Sequence, residues 1–178
     1  LGWTENRFQL KEMSGVAGRT FSAHTIRLRF NTRPDDWVLS LKATAAHEFA
    51  HAWHYEQRGE TTTFIWQHVL DEAITQNFAE HVYPDYETPW RRRHSNGKIA
   101  GFWSDVKARE LDRRIDEVGR SIPLYINDSD EVQYPNWLGY SMSYLLGKEL
   151  LEARELEEMP SMSRQELVDA GDRLFTKA

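Results

Sequence analysis

Cysteine is absent from this 178-residue chain, which removes disulfides, thiolate nucleophiles and cysteine-type zinc sites together. Any metal must be held by His, Asp or Glu. Also missing is an apolar run near the ~20 residues of a membrane span, and the N-terminus lacks the basic-then-apolar pattern of a signal peptide. The expectation is a soluble protein in the cytoplasm, with secretion left open because the first residue is Leu1 rather than Met. Positive charge is in short supply: 22 Lys and Arg stand against 28 Asp and Glu, giving a net charge of -6 and a pI near 5.7. That deficit argues against a nucleic-acid partner, whose phosphates need clustered cations. The run Arg91-Arg92-Arg93-His94 is the exception, and without interleaved aromatics it reads as a solvated loop. Internal repeats and low-complexity segments are lacking too.

What is present supports a folded chain. A mass of 20.9 kDa is the size of one domain. With 40% hydrophobic residues and seven Trp, a core can form despite a mean hydropathy of -0.69. Residues 1–20 show no clear period, and Gly15 and Gly18 read as loop. Ile26, Leu28 and Phe30 then alternate with Thr25, Arg27 and Arg29, the signature of a half-buried strand, which Pro34-Asp35-Asp36 ends. A helix is predicted over 40–57 from Leu41, Ala45, Phe49, Ala52 and Trp53, with Gly59 as its stop. Thr61-Thr62-Thr63 would cap a second helix reaching Val82, before Pro84. Residues 89–101 read as a loop, 104–120 as a third helix with Val106, Leu111, Ile115 and Val118 inward, and Pro123 with Asn127-Asp128-Ser129-Asp130 as a connection. A fourth helix is predicted over 136–154, and Ser163 with Glu166 forms a capping box opening a last one. The expected class is a mainly helical α+β domain. Its parts are a β-containing segment (1–39), a helix pair (40–83) and a helical remainder (84–178).

The chemistry concentrates in His47-Glu48-Phe49-Ala50-His51, an HExxH pattern inside a segment read as helical on other grounds. Residues four apart on a helix share a face, so both imidazoles can meet one ion at ~2.0 to 2.1 Å. Glu48 leans toward the same cleft and can take a proton from a metal-activated water. With 7 His and 17 Glu in the chain, chance would produce the pattern about 0.03 times, so the motif carries real weight. A catalytic zinc usually takes three protein ligands. His54 and Gln57 stand where a same-segment Gly and third His would be, which excludes that arrangement. Glu72 is the best candidate, because an antiparallel second helix would bring it back opposite the pair. Asp71 reads as a surface residue or one that supports a ligand. His68 could support a ligand, replace Glu72, or simply fill core. His54 reads as a partly exposed helix residue that could line the cleft, and Gln76 could hydrogen-bond a ligating imidazole.

These residues resemble a gluzincin-type HExxH metallopeptidase, and more closely the YjaZ-like family of predicted Zn-dependent proteases. The similarity covers about Gly18 to Leu151. It rests on Thr44-Ala45-Ala46-His47-Glu48-Phe49-Ala50-His51, Glu72-Ala73-Ile74-Thr75-Gln76-Asn77-Phe78-Ala79-Glu80, Pro89-Trp90 and Pro135-Asn136-Trp137-Leu138-Gly139-Tyr140. The family's Glu-Gly-Leu-Ala-Glu stretch reads Glu-Ala-Ile-Thr-Gln here, at residues 72–76. The resemblance implies a gluzincin-like domain whose small N-terminal β-element packs on the HExxH helix, one zinc ion on His47, His51 and Glu72, Glu48 as base, and a peptide or protein substrate. Tyr140 is the expected oxyanion donor, with Tyr134 and Tyr144 as replacements. The strand at 24–30 could pair with extended substrate backbone. Two other readings share the same residues: a zinc hydrolase of a non-peptide substrate, and a non-catalytic interaction domain that keeps the scaffold.

Overall fold

The computed structural model describes residues 1–58, 62–118, 122–125 and 133–176. It opens with strand β1 (Gly2–Trp3), helix α1 (Arg7–Glu12) and the hairpin β2 (Val16–Ser22) and β3 (Thr25–Phe30). Gly18 is therefore strand, not loop. The sheet order is β1-β3-β2, with β1 parallel and β2 antiparallel to β3. The alternation at 25–30 is the central strand and β2 lies outside it, so the segment is an ordinary interior strand and not the edge that could pair with a substrate.

Helix α2 (Trp37–Arg58) carries the HExxH residues and packs against β2 and β3. It starts three residues before its predicted onset, and its predicted stop, Gly59, lies outside the described residues. Helix α3 (Ile65–Val82) is buried nearly all round, with Val69, Leu70, Ala73 and Ile74 fully enclosed between α2 and helix α5 (Leu138–Leu151). Its first turn is closed by Gln67, whose Oε1 accepts from the backbone N–H groups of Thr63 and Phe64. The predicted threonine cap is replaced by that glutamine, and Thr61 lies outside the described residues.

Helix α4 (Asn96–Arg109) is capped by Ser95, so half of the predicted 89–101 loop is helix. It stops at Arg109, where the predicted helix ran on. Leu111 and Ile115 instead follow the chain as it turns back: Trp66 N–H donates to Leu111 O, and Ile115 N–H to Thr63 O. Those bonds hold the residues beside the start of α3, and in place of a continued α-helix only a short 3-10 turn forms at Ile115–Glu117. The 127–130 connection lies outside the described residues. Helix α6 (Arg164–Phe175) opens on the Ser163 and Glu166 capping box.

Contact between α3 and α5 sets how the cleft is walled. Asn77 Nδ2 donates to Ala73 O at 2.8 Å and to Tyr144 O at 3.1 Å, and Gly147 allows this approach because a Cβ there would strike Asn77. At the rim, Glu80 lies 2.5 Å from Lys148 Nζ and accepts from the Tyr144 hydroxyl at 2.8 Å. Burial alone would raise the Glu80 pKa, but Lys148 and Tyr144 overcome it and hold the carboxyl below its ordinary value. A depressed carboxylate stabilises the fold above its unfolded pKa and loses that contribution as pH falls toward its folded one. Lys148→Met should therefore cost about 0.2–1 kcal/mol at pH 7. The deficit should fade as pH drops below about 4.3, read from urea midpoints at pH 7 and pH 3; an equal deficit at both would show that the pair contributes nothing.

Candidate active site

Helical spacing places His47 and His51 side by side, with their Nε2 atoms 3.1 Å apart. Glu72 arrives from α3, Oε2 at 3.6 Å from His47 Nε2 and Oε1 at 3.5 Å from His51 Nε2. All three residues are enclosed, and their ligand atoms form a group able to hold a metal ion. Donors around one tetrahedral ion at zinc distances sit about 3.3 Å from one another, so the separations fit. Glu72 Oε2 is buried with no hydrogen-bond partner, which suits it to act as a donor to a cation. Burial raises the Glu72 pKa, but the imidazoles of His47 and His51 outweigh it and keep the carboxyl ionised. Burial lowers the His47 pKa, and Glu72 only partly opposes it, which favours the neutral imidazole that binds metals.

Asp71 is fully buried rather than at the surface. Its Oδ1 lies 2.7 Å from His54 Nδ1 and its Oδ2 2.9 Å from His51 Nδ1, the second contact close but not aligned as a hydrogen bond. One carboxylate thus reaches a candidate ligand and a second buried histidine at once. Burial penalises its charge, yet His51 and His54 hold its pKa well below the carboxylate range. The converse holds for His51: burial lowers its pKa, and Asp71 and Glu72 raise it well above the ordinary value. His54 is only 1% exposed, which corrects the reading of a partly exposed residue. Three residues after His51 on α2, it shares that face of the helix and meets the same Asp71.

Glu48 is enclosed between α2 and β2. Thr20 Oγ1 lies 2.7 Å from Glu48 Oε2 and 2.9 Å from the Glu48 carbonyl. Gly18 leaves room for the carboxylate, since any Cβ there would overlap it. Thr20 and Gly18 were not legible as site residues, because nothing in residues 1–20 marks a strand facing the HExxH helix. Tyr55 was missed too, although its place four residues after His51 puts it on the ligand face; its ring lies 6.4 Å from that of His51.

Gly18, Arg19, Thr20, Tyr55, His68 and Tyr140 border one cleft of about 360 Å³ together with His47, Glu48, His51 and Glu72. His68 falls outside the metal-holding group and packs at a tilt against Tyr125, with ring centroids 4.7 Å apart. Gln76 does not bond an imidazole: its Nε2 donates to Tyr140 O at 2.9 Å and so ties α3 to α5. Tyr140 sits among Trp90, Tyr125 and Trp137, and Trp90 also stacks on Trp137, so two separated motifs of the sequence meet behind it. Burial, then the charges of Glu72 and Glu48, push its hydroxyl well above the ordinary tyrosine pKa. Neither suggested replacement borders the cleft: the Tyr134 hydroxyl binds Asp105 and the Tyr144 hydroxyl binds Glu80.

The family model described as Predicted Zn-dependent protease (DUF2268) matches residues 4–169. No curated protein and no solved structure matches the chain. No described helix is long and apolar enough to cross a membrane. With nearly its whole length inside the family model, and a buried His47, His51 and Glu72 group able to hold zinc, the chain belongs to the family of predicted Zn-dependent proteases.

Proposed function

We propose that the protein is a zinc metallopeptidase of gluzincin type, built as one zincin-like domain, with His47, His51 and Glu72 as ligands and Glu48 as general base. The observation that carries this reading is the meeting of three ligand atoms at ion-sharing separations beside a carboxylate pinned by Thr20. When bound, zinc supplies Lewis acidity to the scissile carbonyl and to the attacking water. The Thr20 hydroxyl engages Glu48 Oε2 and fixes the side chain, leaving Oε1 to accept the proton of that water and return it to the leaving amine. Tyr140, kept protonated by burial, donates to the developing oxyanion. Tyr55 is a second tyrosine bordering the cleft. The outer strand β2 offers backbone groups to an extended substrate, and an extended chain is what distinguishes a peptide from a compact small molecule.

Glu48→Gln should keep its zinc by elemental analysis and lose about 10²–10⁴-fold in peptide hydrolysis; undiminished, chelator-sensitive digestion of a peptide library by this variant would sink the assignment. Asp71→Asn should weaken zinc about 10–100-fold in competition with a chromophoric chelator, and unchanged affinity would remove Asp71 from the support of His51. Gly18→Ala should displace Glu48, lowering kcat while zinc content holds; wild-type kcat would mean that the strand does not confine the carboxylate.

A further inference from the structure

The outer face of the sheet carries positive charge that no acid among the described residues pairs with. Gly18 and Thr20 turn toward Glu48, so strand alternation puts Arg19 and Phe21 on the face away from α2. The register sets Arg27 across from Arg19 and Arg29 across from Ala17, so three exposed guanidinium side chains share that face. Arg19 and Arg27 flank the half-exposed ring of Phe21, their Cζ atoms 5.1 and 4.9 Å from its centroid. Both acids of the first 33 residues are engaged elsewhere, Glu5 with Arg33 and Glu12 with Lys11 and Arg93. No ion pair among the described residues involves Arg19, Arg27 or Arg29.

Two features make this more than a solvated surface. Like charges directly across a ladder cost stability, and Arg19 faces Arg27 with no acid among the described residues to offset it. The placement also runs against the chain as a whole: residues 1–33 hold six Lys and Arg to two Glu within a protein of net charge -6. Arg19 in addition borders the cleft of His47, His51 and Glu72. Guanidinium groups bind carboxylates in paired, planar contacts, and a cationic rim on an acidic protein draws acidic ligands to one place.

We propose that this face selects acidic substrates: the peptide cleaved carries Asp or Glu close to the scissile bond, which meets Arg19 at the cleft rim, while Arg27 and Arg29 take further acids along the chain. The proposal rests on the peptidase reading, so its test separates binding from cleavage. Zinc-loaded Glu48→Gln protein is titrated, by fluorescence anisotropy, with labelled peptides that differ only in Glu against Gln at positions spread along their length. The Glu peptides should bind about tenfold tighter, with a preference that falls steeply as salt rises. In the Arg19→Gln and Arg27→Gln backgrounds the ratio should fall toward one, and Arg19→Lys should retain part of it. Their thermal midpoints should not fall below the parent's, because like-charge opposition is relieved, which rules out misfolding as the cause. Equal binding of Glu and Gln peptides, or a preference that survives both Arg→Gln changes, would overturn the proposal. So would binding to phosphatidylserine vesicles without any acidic-peptide preference, which would make the face a membrane contact. The active protein is then assayed on the same peptides: equal cleavage of Glu and Gln twins counts against the arginine face alone. Cleavage of none counts against the peptidase reading, while the anisotropy still decides the arginines.

Discussion

Two adjacent carboxylates on one buried helix govern this molecule. Asp71 and Glu72 lie in the middle of α3, where a lone carboxylate would pay a heavy desolvation penalty, and both stay ionised because imidazoles of α2 stand against them. The two helices cannot separate or rotate without stranding that charge. A one-residue slip of α3 would turn Glu72 from His47 and His51, and Asp71 from His51 and His54. The rest of the fold can be understood as what it takes to hold such a pair of helices together: a sheet covering one side of α2, and α5 covering the far side of α3.

The sequence showed the HExxH helix, Glu72 as the residue of the next helix that meets its histidines, and the last helix with its capping box, because each of these signals is local or repeats at helical spacing. The central strand was visible for the same reason, through the alternation of Ile26, Leu28 and Phe30. Other features depend on partners far along the chain. Asp71 looked like a candidate for the surface because it lies about 100° around the helix from Glu72, and only the burial of α3 on nearly every side turns it inward to His51 and His54. His54 was misread for the complementary reason. Leu111 and Ile115 kept a helical period, but backbone bonds to Thr63 and Trp66 take their chain elsewhere. Thr20 and Gly18 gave no signal at all: a threonine and a glycine acquire meaning only once β2 lies across Glu48.

Charge is distributed in the same two-sided way. Within the helical body, acids and bases are matched in pairs such as Glu80 with Lys148, Asp172 with Lys107 and Glu166 with Arg154. The sheet departs from that rule, with cations opposed to one another across the ladder. Native folds keep local conflicts of this kind mainly where a ligand resolves them. The conflict here lies on the strand whose other face confines the proposed base, so recognition and chemistry would share a single element seven residues long.

The distances along the chain between the parts of the cleft are unequal. His47, His51 and Glu72 all come from two consecutive helices, so bringing them together closes a short loop and costs little chain entropy. Thr20 meets Glu48 across 28 residues, a loop of nearly the same length, whereas Tyr140 lies 68 residues beyond Glu72 and reaches the cleft only through the docking of α5. The metal-holding group and the confinement of Glu48 thus lie within the first 72 residues, while Tyr140, on the far wall of the cleft, is supplied by a distant helix.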